Sequence, residues 1–441
     1  SYSVTGVQTC ALPIFLAGNS DGFRTPLLFF PHYLDQLIVF GGIGNEILWT
    51  PITAIVGPLA AYNLCIISSL FLGAFFTYQL VRALGVTDSG AVVAGVVFGF
   101  SPYIFSEMFD GRLEGIIICY FPLAVFCFWK VLNEGRYYHY IFAALSFFLL
   151  TMANFYHGII GALFLSFNSL IRLFKAKPRE RKRIIRRLSL LALLYFLPLL
   201  PVTLYFLSHA PLGHQIDIGD IIDHPVHRNE QPPPGAVDPT QFFRFSARPI
   251  LGSNMGNIFV IGLLPLLLAA ANLFFKERRS YFWLSGAFLF FIFSMGTHIS
   301  LSGHPIPLPF ILMQVIPLLG RLHMVYRFGI IVILCIAIAA AFGYARLSAR
   351  VTPTRRGQYL LLSVFILLIL AEFIYLSPAP IPPPLTDAGI PPAYRLLHDA
   401  DNGAALIIPQ ETTVFVNGRY MYYQTYHRRP LVNGQIGRAH V

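Results

Sequence analysis

The sequence carries little charge: only 12% of its 441 residues are Asp, Glu, Lys or Arg. Soluble globular proteins contain about twice that fraction, so this shortage excludes the soluble globular class. Hydrophobic residues make up 56% of the chain, and the mean hydropathy is +0.65. Cysteine is also scarce, and the spacing of the five residues matches neither a disulfide framework nor a metal motif. We therefore predict an all-α polytopic integral membrane protein.

Acidic residues are fewer than basic ones, 20 against 31, which gives a formal net charge of +11. An excess of this kind can indicate nucleic-acid binding. Here, however, the basic residues gather in short runs between apolar segments, where they act as topology signals. We therefore predict that the chain is embedded in a lipid bilayer and that it has no nucleic-acid partner.

Ten apolar segments are candidates for membrane-spanning helices, each of which needs about 20 residues. They cover residues 59–81, 91–106, 113–132, 138–152, 155–174, 188–207, 258–275, 281–294, 328–344 and 359–376. Basic residues follow alternate segments without exception, at Arg82, Lys130 with Arg136, 172–187, 276–279 and 346–356. Because Lys and Arg accumulate on the cytoplasmic side, we expect the intervening loops, and the segment after the last span, to lie outside.

The predicted organisation has a transmembrane domain at 59–376, with outer loops at 208–257 and 296–327. Residues 15–58 form a partial first outer loop, and 377–435 a truncated extracytoplasmic domain. Within 298–328, a short apolar run interrupted by four prolines indicates an interfacial or re-entrant helix. After a Pro-rich spacer, AYRLLHDA predicts a helix and AALIIP a buried strand, the start of a small outer α/β domain.

The loop MFDGRLEG places Asp110, Arg112 and Glu114 at a turn between two predicted spans. Carboxylates at a membrane surface are costly, so they often serve a function. This pair with its arginine can position a sugar hydroxyl, act as a base or bind Mg²⁺ or Mn²⁺. A polar hairpin turn with a local ion pair explains the same residues equally well, so the metal and the cofactor stay unknown.

Two further outer segments contain polar clusters. His32, Asp35 and Glu46 lie in or near FFPHYLDQ, where an aromatic wall for a sugar is one interpretation and a solvated loop the preferred one. The segment 214–227 holds three Asp and three His, a composition that suits a hard metal. Its spacing matches no defined metal motif, so a surface loop is the preferred interpretation there too.

Arg321 and Arg327 lie in GRLHMVYRF, just before a predicted span. A guanidinium at headgroup level can hold a phosphate with two hydrogen bonds, although ordinary snorkelling to lipid headgroups explains the positions equally well. The basic run 172–187 is predicted to set topology and to attract anionic lipid.

Several stretches resemble one family. AGVVFGFSPYIFSEMFDGRLEGIIICYFPLAVFCFWKVL resembles the early spans of the bacterial GT-C-type polytopic membrane glycosyltransferase-like family. PLPFILMQVIPLLGRLHMVYRF resembles that family's Pro-rich outer helix ending in paired arginines. YMYYQTYHRRPLVNG resembles its outer-domain motif, with Gln424 and His427 at matching places.

This resemblance implies a GT-C-like membrane fold and a glycosyltransferase of the bacterial cytoplasmic (inner) membrane. Such an enzyme transfers a sugar from a polyprenyl-phosphate donor, at the outer face, to a glycan, lipid or protein acceptor. The family's catalytic acid lies in the first outer loop. In this chain the acids left in that loop, Asp21 and Asp35, match no family motif.

The candidate residues follow from these observations. The catalytic candidates are Asp110, Glu114 and Asp35, and the substrate-binding candidates are Arg112, Arg321, Arg327, His32, Gln424 and His427. Two other functions stay open. A carrier or flippase for lipid-linked sugars would need charges within its spans and an inverted repeat of broken helices, and only Glu372 offers such a charge. A non-catalytic membrane assembly factor is the third possibility.

The two ends of the sequence resemble translated adapter. VTGVQTCALPI at 4–14 and IGRAHV at 436–441 can both be written in codons of one common sequencing-library adapter, in opposite orientations. We expect residues 1–14 and 436–441 to be adapter-derived, and a first helix to be encoded upstream of Phe15. A long read of the source DNA across both ends checks this. It should show an upstream helix followed by Asp or Glu, whereas genomic DNA that encodes VTGVQTCALPI would contradict the expectation.

Overall fold

The computed structural model describes residues 24–25, 34–35, 44–110, 113–209, 260–301, 304–316, 319, 322, 325–377, 389–399, 403–406, 420, 422–424 and 426–432. Most of these residues are helical. The helices before residue 210 are α1 (Gly44–Val56), α2 (Pro58–Ala83), α3 (Asp88–Gly99), α4 (Pro102–Asp110), α5 (Leu113–Ile116), α6 (Tyr120–Asn133), α7 (Tyr137–Ala153), α8 (Phe155–Lys175) and α9 (Pro178–His209). The later ones are α10 (Leu263–Phe275), α11 (Tyr281–Ser294), α12 (Ile311–Gln314), α13 (Gly329–Val351), α14 (Arg355–Leu376) and α15 (Pro392–Asp399).

Short β and 3₁₀ elements complete the described part. The strands β1 (Arg24–Thr25) and β2 (Leu34–Asp35) form one antiparallel pair, and β3 (His298–Leu301) and β4 (His304–Pro307) form another. Single 3₁₀ turns cover Arg278–Ser280 and Val325–Phe328.

Six helices in the described residues are long and apolar enough to cross a membrane. They are Pro58–Ala83, Asp88–Met108, Phe155–Lys175, Pro178–Tyr205, Val325–Val351 and Arg355–Leu376. The other predicted spans coincide with shorter helices, among them Tyr120–Asn133, Tyr137–Ala153 and Leu263–Phe275. The prediction of a helical, multi-pass membrane protein is confirmed, while the count of about ten crossings stays a prediction.

The centre of the bundle is α13. Its sequence GIIVILCIAIAAAFG is apolar on every side, so the helix has no face that prefers water. Accordingly 94% of the apolar window in Val325–Val351 is buried, against 17% in Arg355–Leu376. Helices α3, α10 and α11 pack directly around α13.

Helices α2 and α3 approach closely because small residues line their contact. A Cβ on Gly95 would lie 2.8 Å from the carbonyl oxygen of Ala74, and one on Gly99 would lie 2.7 Å from the Ala74 Cβ. Neither gap admits a side chain. Contacts of this kind are typical of membrane helices, whose association depends on close backbone packing.

The predicted span 113–132 is not one helix. Helix α5 ends at Ile116, and α6 begins at Tyr120 after a three-residue break. The hydroxyl of Ser69 on α2 donates to the Ile116 carbonyl oxygen at 2.9 Å. The Ile118 N–H also donates to this carbonyl, at 2.8 Å, so the acceptor at the break has both a backbone and a side-chain partner.

The outer segment after α11 differs from the predicted interfacial or re-entrant helix. It begins with the β3–β4 hairpin, in which His298 pairs with Pro307 and Ile299 with Ile306. Pro305 and Pro307 lack the N–H that a helix interior needs, whereas they are tolerated on an edge strand. Among the described residues between this hairpin and the 3₁₀ turn Val325–Phe328, α-helix is confined to the single turn Ile311–Gln314.

Glu372 of the last span caps another helix. Its carboxylate accepts hydrogen bonds from the backbone N–H groups of Leu263 and Leu264, the latter at 3.1 Å. These belong to the first turn of α10, where donors lack intrahelical partners and the helix dipole favours negative charge. Glu372, the residue that suggested a carrier in the sequence, therefore has a structural role.

The outer tail contains the predicted helix in AYRLLHDA, which is α15. The predicted strand AALIIP contributes one parallel bridge, between Ala405 and Leu431. The Ala405 N–H donates to the Pro430 carbonyl at 2.7 Å, and the Val432 N–H donates to the Ala405 carbonyl at 3.0 Å. The small α/β domain and the domain boundaries stay predictions.

The loop between α10 and α11 is held by a buried carboxylate. Glu277 is only 5% exposed, and it accepts hydrogen bonds from Arg279 at 2.9 Å and from Arg346 of α13 at 2.6 and 2.8 Å. The Arg279 guanidinium also lies 5.1 Å from the centre of the Phe342 ring. The run KERR is thus an anchor between α10, α11 and α13 as well as a topology signal.

Glu277→Gln keeps the shape of this side chain and removes its charge. The arginine hydrogen bonds lower the pKa of Glu277 from 4.5 to about 2, so the carboxylate stabilises the fold above pH 4.5 and loses that contribution as the pH falls toward 2. We expect a loss of about 1–3 kcal/mol in unfolding free energy at pH 7, since charge-assisted bonds are removed. Thermal unfolding in detergent micelles measures it.

The control is Glu134→Gln, which removes an exposed carboxylate paired with Lys130 in another loop at the same end of the bundle. It should leave the unfolding temperature unchanged. A difference between wild type and Glu277→Gln that persists undiminished down to pH 2 would contradict the anchoring role.

Candidate functional site

One end of the bundle, here called the basic end, contains the loops 134–136, 176–177 and 276–280, which have basic residues, and the loops 84–87 and 352–354, which are flanked by Arg82 and by Arg350 and Arg355. The candidate site lies at the other end, here called the opposite end. Four features converge there: the end of α4, the break between α5 and α6, the junction of α7 with α8, and the 3₁₀ turn Val325–Phe328.

Glu107 is the most informative carboxylate at the opposite end. It lies near the end of α4 and is 0% exposed. A Cβ on Gly115 of α5 would lie 2.5 Å from the Glu107 Cδ, so α5 packs directly against this carboxylate at a glycine. Ionisable groups buried at the end of a span are costly and often functional.

Sequence analysis missed Glu107 because the predicted span ended at Ser106 and the acids of the following loop drew attention. A signal was present nonetheless. Tyr103 and Glu107 are four residues apart and therefore share one helical face, and both are buried. Once the helix is known to continue to residue 110, the four-residue spacing places Glu107 on the same face as the apolar residue Tyr103, and this placement predicts a buried carboxylate.

A buried cation lies in the turn before α13. Arg327 is 2% exposed, and its guanidinium lies 5.3 Å from the centre of the Tyr156 ring and 6.0 Å from that of Tyr326. Cation–π contacts of this kind hold a guanidinium in place without neutralising its charge. The predicted residue Arg327 is thus fixed between α8 and α13.

His157 of α8 is an electrostatic neighbour of Arg327 and is 0% exposed. Its ring meets the Phe121 ring edge-on, with 5.2 Å between the centres. Neither imidazole nitrogen has a hydrogen-bond partner among the residues that the structure describes. A buried imidazole thus lies within the electrostatic influence of a buried guanidinium. Sequence analysis did not single out His157.

The α7–α8 junction is fixed by two asparagines. The Asn154 side chain accepts a hydrogen bond from the Tyr156 N–H at 2.8 Å, which caps α8 and orients the turn that carries His157. Asn45 of α1 donates to the Ala153 carbonyl at 3.5 Å. Helix α1 is thereby tied to the same junction.

The acids of the predicted site lie close to Glu107 along the backbone. Asp110 ends α4, and Glu114 lies in α5, which packs against α4. Asp35 lies in β2, where its backbone pairs with that of Arg24. The side chains of all three, and that of Glu46, lie outside the described part.

Some predicted residues are not described at all. These are His32, Arg112, Arg321, Asp21 and the segment 214–227. Within the described ranges, no group of three or more His, Cys, Asp or Glu side chains could hold a metal ion. Any role of these undescribed residues in binding substrate or metal stays a prediction.

Gln424 and His427 lie in the outer tail, away from the α4–α5 turn in sequence. The Gln424 side chain donates to the Arg429 carbonyl at 2.9 Å, and the His427 Nδ1 accepts from the Arg429 N–H at 3.1 Å. Tyr394 of α15 stacks on His427 with 5.8 Å between ring centres. These contacts fix the backbone of the tail, and a role in substrate binding stays a prediction.

His427 is buried, 2% exposed, and burial lowers its pKa to about 4, with Arg429 and His398 adding like charge. Since its pKa is lower in the folded chain than the ordinary 6.5, the tail should keep its full stability above pH 6.5 and lose it as the pH falls toward 4. Protection from hydrogen exchange in residues 391–432 should fall by up to about tenfold per pH unit in that range.

His427→Gln supplies an acceptor that does not titrate, so its tail should show no such fall. Peptides from α13 in the same experiment correct for the pH dependence of the exchange chemistry. Equal pH dependence in wild type and variant would contradict the assigned role of His427.

Comparison with known proteins gives a partial sequence match and a match of fold. Residues 47–204 match the family described as "6-pyruvoyl-tetrahydropterin synthase related domain; membrane protein". This range begins in α1 and ends in α9, so it contains Glu107 and His157. No curated protein matches the chain.

Among solved structures, the chain is similar to the cryo-EM structure of the arabinofuranosyltransferase AftD from Mycobacteria. The TM-score is 0.52 at 14% sequence identity, and the match covers 98% of this chain. It covers 31% of the AftD chain, so this chain spans about a third of that protein's length. At this identity the match shows the fold: a helical membrane protein with an AftD-like architecture.

Proposed function

We propose that this chain is a membrane glycosyltransferase of the GT-C type, which transfers a sugar from a polyprenyl-phosphate donor to a glycan, lipid or protein acceptor. The reaction takes place at the opposite end of the bundle, on the outer face of a bacterial cytoplasmic (inner) membrane. The observation that carries the proposal is the AftD-like fold over 98% of the chain.

The acids near the end of α4 support it. Glu107 is enclosed by α5, and Asp110 and Glu114 follow within seven residues. Transfer of a sugar requires a group that orients and deprotonates the acceptor hydroxyl, and a carboxylate can do both. In this proposal Asp110 and Glu114, together with Asp35, contact substrate, and Glu107 holds the α4–α5 turn in position.

The buried cation supports the donor side. A polyprenyl-phosphate donor brings negative charge to the membrane surface, and a guanidinium can bind it through two hydrogen bonds. Arg327 supplies a fixed positive charge next to His157 at this end of the bundle. Arg112, Arg321 and His32 are proposed to complete the donor site, and Gln424 and His427 to border it from the tail.

A carrier for lipid-linked sugars loses the residue that suggested it in the sequence. Its expected mark is an ionisable residue that serves transport within a span. Glu372 is the residue that suggested it, and its carboxylate caps α10. An assembly factor without activity stays as the alternative that the experiment below separates.

Three variants test the transferase: Glu107→Gln, Asp110→Asn and Glu114→Gln. Each chain, extended at both ends to the sequence that the source DNA encodes, is purified, reconstituted in liposomes and supplied with a panel of polyprenyl-phosphate sugars and short glycan acceptors. We expect Asp110→Asn or Glu114→Gln to lower transfer by about 10²-fold or more, as removal of an acid–base group does. Glu107→Gln should lower it less, because its effect passes through the position of α5.

Glu134→Gln at the basic end is the matched control and should transfer sugar at the wild-type rate. Unfolding temperatures show whether each variant is intact. Unchanged transfer by both Asp110→Asn and Glu114→Gln would remove these residues from the site. No transfer by the wild type with any donor would contradict the transferase and support the assembly factor.

A further inference from the structure

Helix α9 is longer than a membrane needs. It runs without interruption from Pro178 to His209, 32 residues, which at 1.5 Å per residue is about 48 Å. The hydrocarbon core of a bilayer is about 30 Å thick. The apolar part of α9 lies toward its carboxyl end, so the first turns must emerge from the hydrocarbon at the basic end.

These first turns carry four basic residues on one face. They are Arg179, Lys182, Arg183 and Arg186, here called the α9 stripe. Their spacing of three, one and three residues places all four side by side on one side of the helix. All four are exposed, and none has an ion-pair partner among the described residues.

The stripe is separate from the face by which α9 packs on the protein. Arg187 donates to the Leu132 carbonyl at 2.6 Å, and Leu191 and Leu194 contact the apolar cluster between α6 and α7. At 100° per residue this packed face is centred about a quarter of a turn away from the stripe. The stripe is therefore left open to the surroundings of the helix.

The nearby acid does not neutralise the stripe. Glu180 accepts a hydrogen bond from the Lys177 N–H at 3.1 Å, so its carboxylate is occupied at the helix start. Arg181 on another face bonds the Ala176 carbonyl at 3.0 Å. Four positive charges thus share one short surface, and the single nearby carboxylate makes no ion pair with them.

The depth of the stripe relative to the bilayer indicates which ligand it binds. Arg186 and Arg183 lie about 3 and about 8 Å beyond the start of the apolar run at Leu188, which is the depth of lipid headgroups. Lys182 lies one helical turn further out than Arg186, and Arg179 one turn further out than Arg183. Both are within reach of the surface potential of an anionic leaflet. Exposed apolar side chains, Phe174 at 77% and Ile185 at 52%, accompany the basic residues at this level.

We propose that the α9 stripe is a binding site for anionic phospholipid headgroups in the leaflet at the basic end. It holds phosphates by charge and hydrogen bonding along one helical face. The site is independent of sugar transfer, which is proposed for the opposite end. It differs from a topology signal, because a topology signal acts during insertion and needs no lipid ligand afterwards.

The test measures lipid binding to the purified full-length chain in zwitterionic detergent micelles. Dioctanoyl phosphatidylglycerol is the probe, and dioctanoyl phosphatidylcholine gives the baseline. Replacing all four stripe residues with Gln should weaken phosphatidylglycerol binding by about tenfold, since each basic residue near an anionic surface contributes to the attraction. Binding by the wild type should weaken as salt increases.

The matched control replaces four exposed basic residues at the same end but outside the stripe: Lys175, Lys177, Arg355 and Arg356. It removes the same charge and should bind phosphatidylglycerol nearly as the wild type does. If the fourfold stripe variant fails to insert, the pairs Arg179→Gln with Lys182→Gln and Arg183→Gln with Arg186→Gln each should show about a threefold loss.

Three results would overturn the proposal. The first is unchanged phosphatidylglycerol binding by the stripe variant, which would leave topology as the only role. The second is an equal loss in the control variant, which would mean diffuse charge without a site. The third is tighter binding of a short DNA duplex than of phosphatidylglycerol by the wild type, which would assign the stripe to nucleic acid.

Discussion

A polypeptide within hydrocarbon has no water to satisfy its backbone, and this constraint governs the details of the structure. At three helix ends or breaks, a side chain supplies a hydrogen bond to the backbone. Ser69 bonds the Ile116 carbonyl at the break between α5 and α6, and Asn154 caps α8. Glu372 does the same for α10, which explains why a carboxylate is present in an otherwise apolar last span.

Buried ionisable side chains are also costly in this environment, and those of the bundle fall into two groups, one at each end. Glu277 at the basic end has two arginine partners, and these ion pairs give its charge a structural role as an anchor between helices. Glu107, Arg327 and His157 at the opposite end are buried near helix ends and breaks, with Arg327 near the Tyr156 ring and His157 edge-on to the Phe121 ring. This contrast is the physical reason for placing function at the opposite end and structural support at the basic end.

The sequence predicted the helical membrane class because the composition and the length of apolar runs depend on few interactions. It also predicted most helix positions, since basic loops mark alternate helix ends. It did not predict the break at residues 117–119, which depends on a tertiary hydrogen bond from Ser69. The hairpin at 298–307 was missed because apolar residues alone do not distinguish a short strand from a short helix.

The candidate site was predictable only in part. Arg327 was recognised from its place before a span, and the acids Asp110 and Glu114 from their loop. Glu107 and His157 were missed because burial of a polar side chain on a helix face becomes visible only when neighbouring helices are placed. Gln424 and His427 were expected to bind substrate, whereas their described contacts hold the tail's own backbone.

The central claim is that a polyprenyl-phosphate sugar binds at the opposite end, and photocrosslinking tests it most directly. A polyprenyl-phosphate sugar with a diazirine on its first isoprene unit is irradiated with the purified full-length chain, and the labelled peptides are identified by mass spectrometry. The account predicts labels in residues 102–120 and 322–330, competed by unmodified polyprenyl-phosphate sugar. Labels confined to the loops of the basic end, or labels that the unmodified donor does not compete, would contradict it.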